Sequence, residues 1–124
     1  MLFRSVLVEI ARAVEDTLRE GDVVSRYGGD ELTALLPAVD IDVAVKVAER
    51  VRVAVEGIQY GGLPAASLQS NVAELRVTCT IGVASYPRHA VDVRGLLEAA
   101  DRAMYRGKDG KRNVVSVADS LPKS

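Results

Sequence analysis

Cysteine is almost missing from this chain. Cys79 stands alone, so no disulfide can form within it, which suits a reducing compartment. No apolar run approaches the length of a membrane span, and Met1-Leu2-Phe3 is too short for the apolar core of a signal peptide. The net charge is −1, without the basic excess of a dedicated nucleic-acid binder. Internal repeats and low-complexity segments are absent as well. These absences leave a cytoplasmic soluble domain as the expectation, with no nucleic acid bound and no membrane insertion. At 124 residues, 48% hydrophobic and 27% charged, the chain is expected to be one compact domain or less, near the lower end for an enzyme.

What is present follows two periods. Val6, Leu7, Ile10, Ala11, Val14 and Leu18 recur at helical spacing, which predicts an amphipathic helix over 3–20 with Arg19 in its last turn and Gly21 as its stop. Val23 to Tyr27 and Glu31 to Leu36 read as strands of a hairpin turning at Gly28-Gly29. Asp40 or Asp42 caps a second helix to about Glu56, with an apolar stripe of Ala44, Val47, Ala48, Val51 and Val55. Gly61 to Ser70 is a loop by composition. From Leu75 to Val83 strict alternation marks the clearest strand, with Cys79 among its core residues. Asp92 caps a third helix carrying Leu96, Leu97, Ala100, Ala103 and Met104, followed by a turn at Gly107 to Lys111 and a strand at Val114 to Val117. The tail from Asp119 is polar and is expected to fray. The fold class is α+β, a mostly antiparallel sheet flanked by helices.

The densest chemistry lies in Arg26-Tyr27-Gly28-Gly29-Asp30-Glu31-Leu32. Glycines let a ligand approach the backbone, and adjacent carboxylates suit a hard divalent cation bound with a nucleotide phosphate. Taken alone, two acids at a hairpin tip serve equally to solvate it. The flanking blocks decide between these readings. The chain resembles the GGDEF domain of diguanylate cyclases, which condense two GTP into cyclic di-GMP. The signature stands as Gly28-Gly29-Asp30-Glu31-Leu32; Thr80-Ile81-Gly82-Val83-Ala84, Leu96-Leu97 with Ala100-Asp101-Arg102-Ala103-Met104-Tyr105, and Lys108 with Arg112-Asn113 follow in the family's order.

The resemblance covers residues 5–117 and implies a domain over 1–118, with 119–124 as a tail. It implies a nucleotidyl-cyclase-like palm fold. It implies that Asp30 and Glu31 are catalytic and hold Mg2+ (or Mn2+), Asp30 helping to deprotonate the attacking 3′-hydroxyl. Gly28 and Gly29 would border the substrate, and Lys108 and Arg112 would grip the β- and γ-phosphates, a solvated basic turn being the plainer alternative. Arg19-Glu20-Gly21-Asp22 matches the family's RxxD inhibitory motif, in which Arg19 and Asp22 bind cyclic di-GMP and Arg50 would complete the site. Because each subunit holds one GTP, catalysis implies a homodimer, and an N-terminal sensor domain in the parent protein would set its geometry.

The sequence departs from the family at two places. Leu32 replaces phenylalanine, a small packing change. The family's first strand and helix, with a metal-binding aspartate, are absent, and Phe3-Arg4 stand where the family has Gly-Asp; an arginine cannot accept guanine N–H donors. Residues 1–124 alone are therefore expected to be inactive, with exposed strand edges. A cyclic di-GMP-binding regulatory module and a dimerisation scaffold are the alternative functions. Asp101 and Lys108, seven apart on one helix face with Tyr105 between them, read as a structural ion pair or network rather than catalytic groups, and His89 has no assigned role.

Overall fold

The computed structural model describes residues 2–28, 30–60 and 75–122. The element order is α1 (Leu2–Thr17), β1 (Val23–Gly28), β2 (Glu31–Leu35), α2 (Ile41–Glu56), β3 (Ile81–Val83), α3 (Val93–Asp109) and β4 (Val115–Val117). The expected loop at 61–70 lies outside the described residues. Among the described residues no helix is long and apolar enough to cross a membrane.

Helix α1 stops at Thr17, short of Arg19. The Thr17 hydroxyl donates back to the Ala13 carbonyl at 2.7 Å, and the Arg19 N–H is diverted to Asp22 Oδ2 at 3.0 Å. That diversion, with Gly21 at a φ of 95°, turns the chain into β1, so Arg19 sits beyond the helix rather than in its last turn. Helix α2 starts where Asp40 accepts the Val43 N–H at 3.0 Å, and Ile41, Ala44, Ala48 and Val55 form its buried stripe. Asp92 caps α3 in the same way, accepting the Gly95 N–H at 2.7 Å.

The described strands form two separate pairs rather than one sheet: β1 and β2 antiparallel, β3 and β4 parallel. Regular pairing begins at Ile81, not at Leu75. Exposure still alternates over 75–79, but β4 starts only at Val115, where the chain leaves the turn after α3, and offers 75–80 no partner. Side-chain alternation along β3 assigns its two faces. Ile81 and Val83 pack with Ile41, Ala44 and Ala48 of α2, while Ala84 packs with Ala99 and Ala103 of α3. The strand pair is thus sandwiched between α2 and α3, and α1 packs on α2.

On the α3 side the spacing is set by glycine. A Cβ on Gly82 would lie 1.9 Å from the Ala100 carbonyl oxygen and 2.6 Å from the Met104 nitrogen. So close a helix can present only small residues along its contact line, and the buried stripe is Ala99, Ala103 and Gly107. Leu97, expected in the core, is 41% exposed for this reason.

Two further expectations are corrected. His89 is buried, and its ring Nδ1 accepts the Ser85 backbone N–H at 2.9 Å while the His89 backbone N–H donates to the Ser85 carbonyl at 2.8 Å. It closes the turn that holds the cis Tyr86-Pro87 bond. The tail does not fray at Asp119: Arg106 bonds both Asp119 and the Val117 carbonyl, and the Leu121 N–H donates to the Arg88 carbonyl at 3.1 Å.

Gly82→Ala is expected to destabilise the domain by about 3 kcal/mol or more, since helix backbone must move to admit one methyl group. Urea unfolding measures this, and an unchanged midpoint would refute the packing account.

Candidate functional site

The hairpin tip is one residue tighter than the sequence suggests. Gly28 pairs with Glu31, which leaves positions 29 and 30 as the loop, and the register slips between Arg26 and Gly28 so that Tyr27 forms a bulge. Bulges re-aim the residues beside them, and this one ends at the acidic pair. Asp30 is exposed and Glu31 is half-buried. Gly29 lies outside the described residues. Gly28 shows neither a positive φ nor any atom within 4 Å of a would-be Cβ. Its neighbours do not require a glycine, so the bare backbone there borders open space that a ligand can use.

Asp30 and Glu31 offer hard carboxylate oxygens, the donor type that Mg2+ takes when phosphate and water fill the remaining positions. Among the described residues no three His, Cys, Asp or Glu side chains gather into a metal cage. The two carboxylates by themselves fit a hard cation that takes part of its coordination from outside the protein.

The second cluster lies at the far end of α3. Lys108 sits in the helix's last turn, with its Nζ 5.7 Å from the centre of the Tyr105 ring. Arg112 is exposed, at a φ of 55°, and its N–H donates to the Gly107 carbonyl at 3.0 Å. The expected Asp101–Lys108 ion pair does not form among the described residues. Seven residues are about two helical turns, roughly 10 Å along the axis, too far for side chains that meet at spacings of three or four. Nor does any hydrogen bond or ion pair among the described residues join Asp30 to Lys108 or Arg112.

A third cluster is closed upon itself. Arg19 Nε donates to Asp22 Oδ1 at 3.2 Å, and its Nη2 donates to the Pro37 carbonyl. Asp22's side chain is 3% exposed and Arg19's is 57% exposed. The buried carboxylate thus fixes the guanidinium, which keeps an open edge toward solvent. Both residues line a depression of about 190 Å³ with Glu15, Leu18 and Val24. Arg50 lines a different, wider depression along α2 with Val43, Lys46 and Val53.

Sequence reading missed a network centred on Arg52. Its Nε reaches both Glu49 oxygens at 3.0 and 3.1 Å, and its Nη1 reaches Asn113 Oδ1 at 3.1 Å and Glu56 Oε2 at 3.4 Å. Asn113 Nδ2 donates to Glu56 in turn. The i, i+3 and i, i+4 spacing of Glu49, Arg52 and Glu56 was the available signal; the link to Asn113 had none. The bond from Arg52 holds the Glu49 carboxyl below its usual 4.5. Its contribution is complete above about pH 4.5 and is lost as pH falls through the lowered folded-state value.

Comparison with known proteins shows the family. The family model described as diguanylate cyclase, GGDEF domain, matches residues 5–114. Diguanylate cyclase A of Treponema denticola is 34% identical over 122 residues, which are 96% of this chain and 30% of that protein. The chain therefore spans under a third of the length of this curated relative. The GGDEF domain of PA1120 (YfiN or TpbB) from Pseudomonas aeruginosa superposes with a TM-score of 0.79 at 33% identity, covering 95% of this chain and 69% of that one. The GGDEF domain of DgcB from Caulobacter crescentus, in complex with c-di-GMP, superposes with a TM-score of 0.77 at 28% identity, covering 93% and 64%.

Cys79 lies beside the Arg52 network. Burial pushes its thiol up to about 11, with Arg52 opposing only in part. Alkylation by iodoacetamide at pH 8 is expected to be slower in the folded protein than in urea by roughly two orders of magnitude, because so little thiolate exists. Equal rates would show the thiol to be accessible and ionised.

Proposed function

The chain belongs to the GGDEF domain family of diguanylate cyclases, and we propose that its protein condenses two GTP into cyclic di-GMP and two pyrophosphates. The reaction takes place in the cytoplasm, in a homodimer whose subunits each present one GTP. Each 3′-hydroxyl oxygen bonds to the α-phosphorus of the opposite nucleotide, loses its proton, and displaces pyrophosphate; done twice, this closes the ring. A sensor module elsewhere in the protein sets how the two sites meet.

The observation that carries this reading is the bulged tip, where Gly28 leaves its backbone uncovered next to Asp30 and Glu31. Asp30 and Glu31 would hold Mg2+ (or Mn2+), which when bound offsets negative charge on the reacting phosphate oxygens. Asp30, being exposed, is also the acceptor for the proton of the attacking hydroxyl. Gly28 and Gly29 let the nucleotide lie against the backbone. Lys108 contributes a compact charge and Arg112 a planar fork for the β- and γ-phosphates, which become the leaving group.

Arg19 supports a second, regulatory reading of the same protein, binding of the cyclic product. Its guanidinium is held by Asp22 and the Pro37 carbonyl yet faces solvent, a pre-set fork for a guanine edge or a phosphate. Asp22 is too buried to meet a ligand in this conformation and acts by orienting Arg19. Arg50 lines its own depression and reaches such a ligand only from another direction.

In the protein that carries this domain, Asp30→Ala is expected to lower cyclic di-GMP formation from GTP and Mg2+ by about a hundredfold or more, followed by chromatography. Formation at the unaltered rate would end the cyclase reading. Arg19→Ala is expected to weaken cyclic di-GMP binding at least tenfold, about 1.4 kcal/mol by calorimetry. Undiminished affinity would remove the regulatory site.

A further inference from the structure

Arg112 and Asn113 lie consecutively in the left-handed region, at φ 55° and 50°. Non-glycine residues rarely adopt it, and it persists only where the surroundings over-determine the backbone. Here they do, from three sides. The Arg112 N–H is bonded to Gly107 of α3 at 3.0 Å, and the Asn113 N–H to Thr80 Oγ1, just before β3, at 3.1 Å. The Asn113 side chain is held at both ends by α2: its oxygen accepts from Arg52 and its nitrogen donates to Glu56. Arg52 is itself immobilised, with a side chain only 19% exposed and Glu49 and Glu56 on either side. Thr80 serves twice, because its methyl group lies where a Cβ on Gly107 would come within 2.7 Å.

This closure spans 61 residues of sequence between Arg52 and Asn113. It uses an amide for what neither a carboxylate nor an ammonium can do, since an amide carries a donor and an acceptor side by side. An aspartate at this position would lose the donor to Glu56 and face it with like charge. The effect falls on the residue before it: Arg112 makes no side-chain bond among the described residues and stays exposed on a backbone bonded on three sides.

We infer that Arg52 and Glu56 are positioning residues for phosphate binding, clasping Asn113 so that the Arg112 guanidinium is presented from a fixed turn. This rests on the proposed role of Arg112 at the β- and γ-phosphates. Pre-organising a charged fork spares the ordering cost that a mobile loop incurs on binding. The clasp therefore acts on affinity for the polyphosphate.

The test uses Mg2+-pyrophosphate as probe, with calorimetric Kd values for the whole protein. The variants are Arg112→Ala, Arg52→Met (which keeps the aliphatic stem), and Asn113→Gly (which accepts the positive φ but cannot be clasped). Thermal melts run in parallel. Arg52→Met and Asn113→Gly are expected to weaken binding about tenfold. The double variant Arg52→Met/Arg112→Ala should bind no worse than Arg112→Ala alone, because Arg52 acts through Arg112, and a merely structural role would not give that non-additivity. If both clasp variants bind within twofold of wild type while Arg112→Ala is tenfold weaker, the inference fails and the phosphate reading survives. If Arg112→Ala matches wild type, the phosphate reading fails and takes the inference with it. Should Arg52→Met melt below the assay temperature, Asn113→Gly alone decides.

Discussion

Helix α3 and strand β3 meet at a distance that leaves room for one hydrogen atom on Gly82 and nothing larger. From this contact the rest of the sandwich takes its dimensions. A helix seated so low must line the contact with Ala99, Ala103 and Gly107, which turns Leu97 outward. It also carries Gly107 down onto Thr80, and Thr80 in turn bonds the turn that follows the helix. The opposite face of β3 is ordinary by comparison, with Ile81 and Val83 filled in by aliphatic and alanine side chains of α2. One face of the strand sets position and the other supplies buried apolar area.

The consequence for function is a division between rigid and open parts. The turn bearing Arg112 is tied to α2, to the approach to β3 and to α3, so its geometry is a property of the core. The hairpin bearing Asp30 and Glu31 pairs chiefly with itself, and its bulge and uncovered Gly28 leave the acidic tip facing open space. In the proposed function these two elements, one fixed and basic and one lightly supported and acidic, would meet through a ligand that carries both phosphate and metal. Arg19 follows a third logic, in which a buried carboxylate three residues further along the chain orients an exposed guanidinium.

Much of the architecture was legible because it rests on local rules. Asp40 and Asp92 announce their helices by capping, and the hairpin is written in its glycines and β-prone flanks. Where reading failed, a long-range contact had overridden a local one. The period of α3 pointed to Leu97, but the nearness of β3 selected Ala99. The alternation from Leu75 pointed to a long strand, but pairing requires a neighbour, and β4 is only three residues long. His89 looked idle in a polar loop until its ring was found to accept the Ser85 amide. The tail looked free until Arg106 and the Arg88 carbonyl were found to hold it.

The amino-acid sequence by itself determined the helix starts, the hairpin, the absence of a disulfide and the family, since each depends on residues adjacent in the chain or on motifs in fixed order. Tertiary structure alone decided which side of α3 is buried, why Gly82 must be glycine, and how Arg52 comes to hold Asn113. Those depend on distances between segments up to 61 residues apart, and such distances are set only when the core closes.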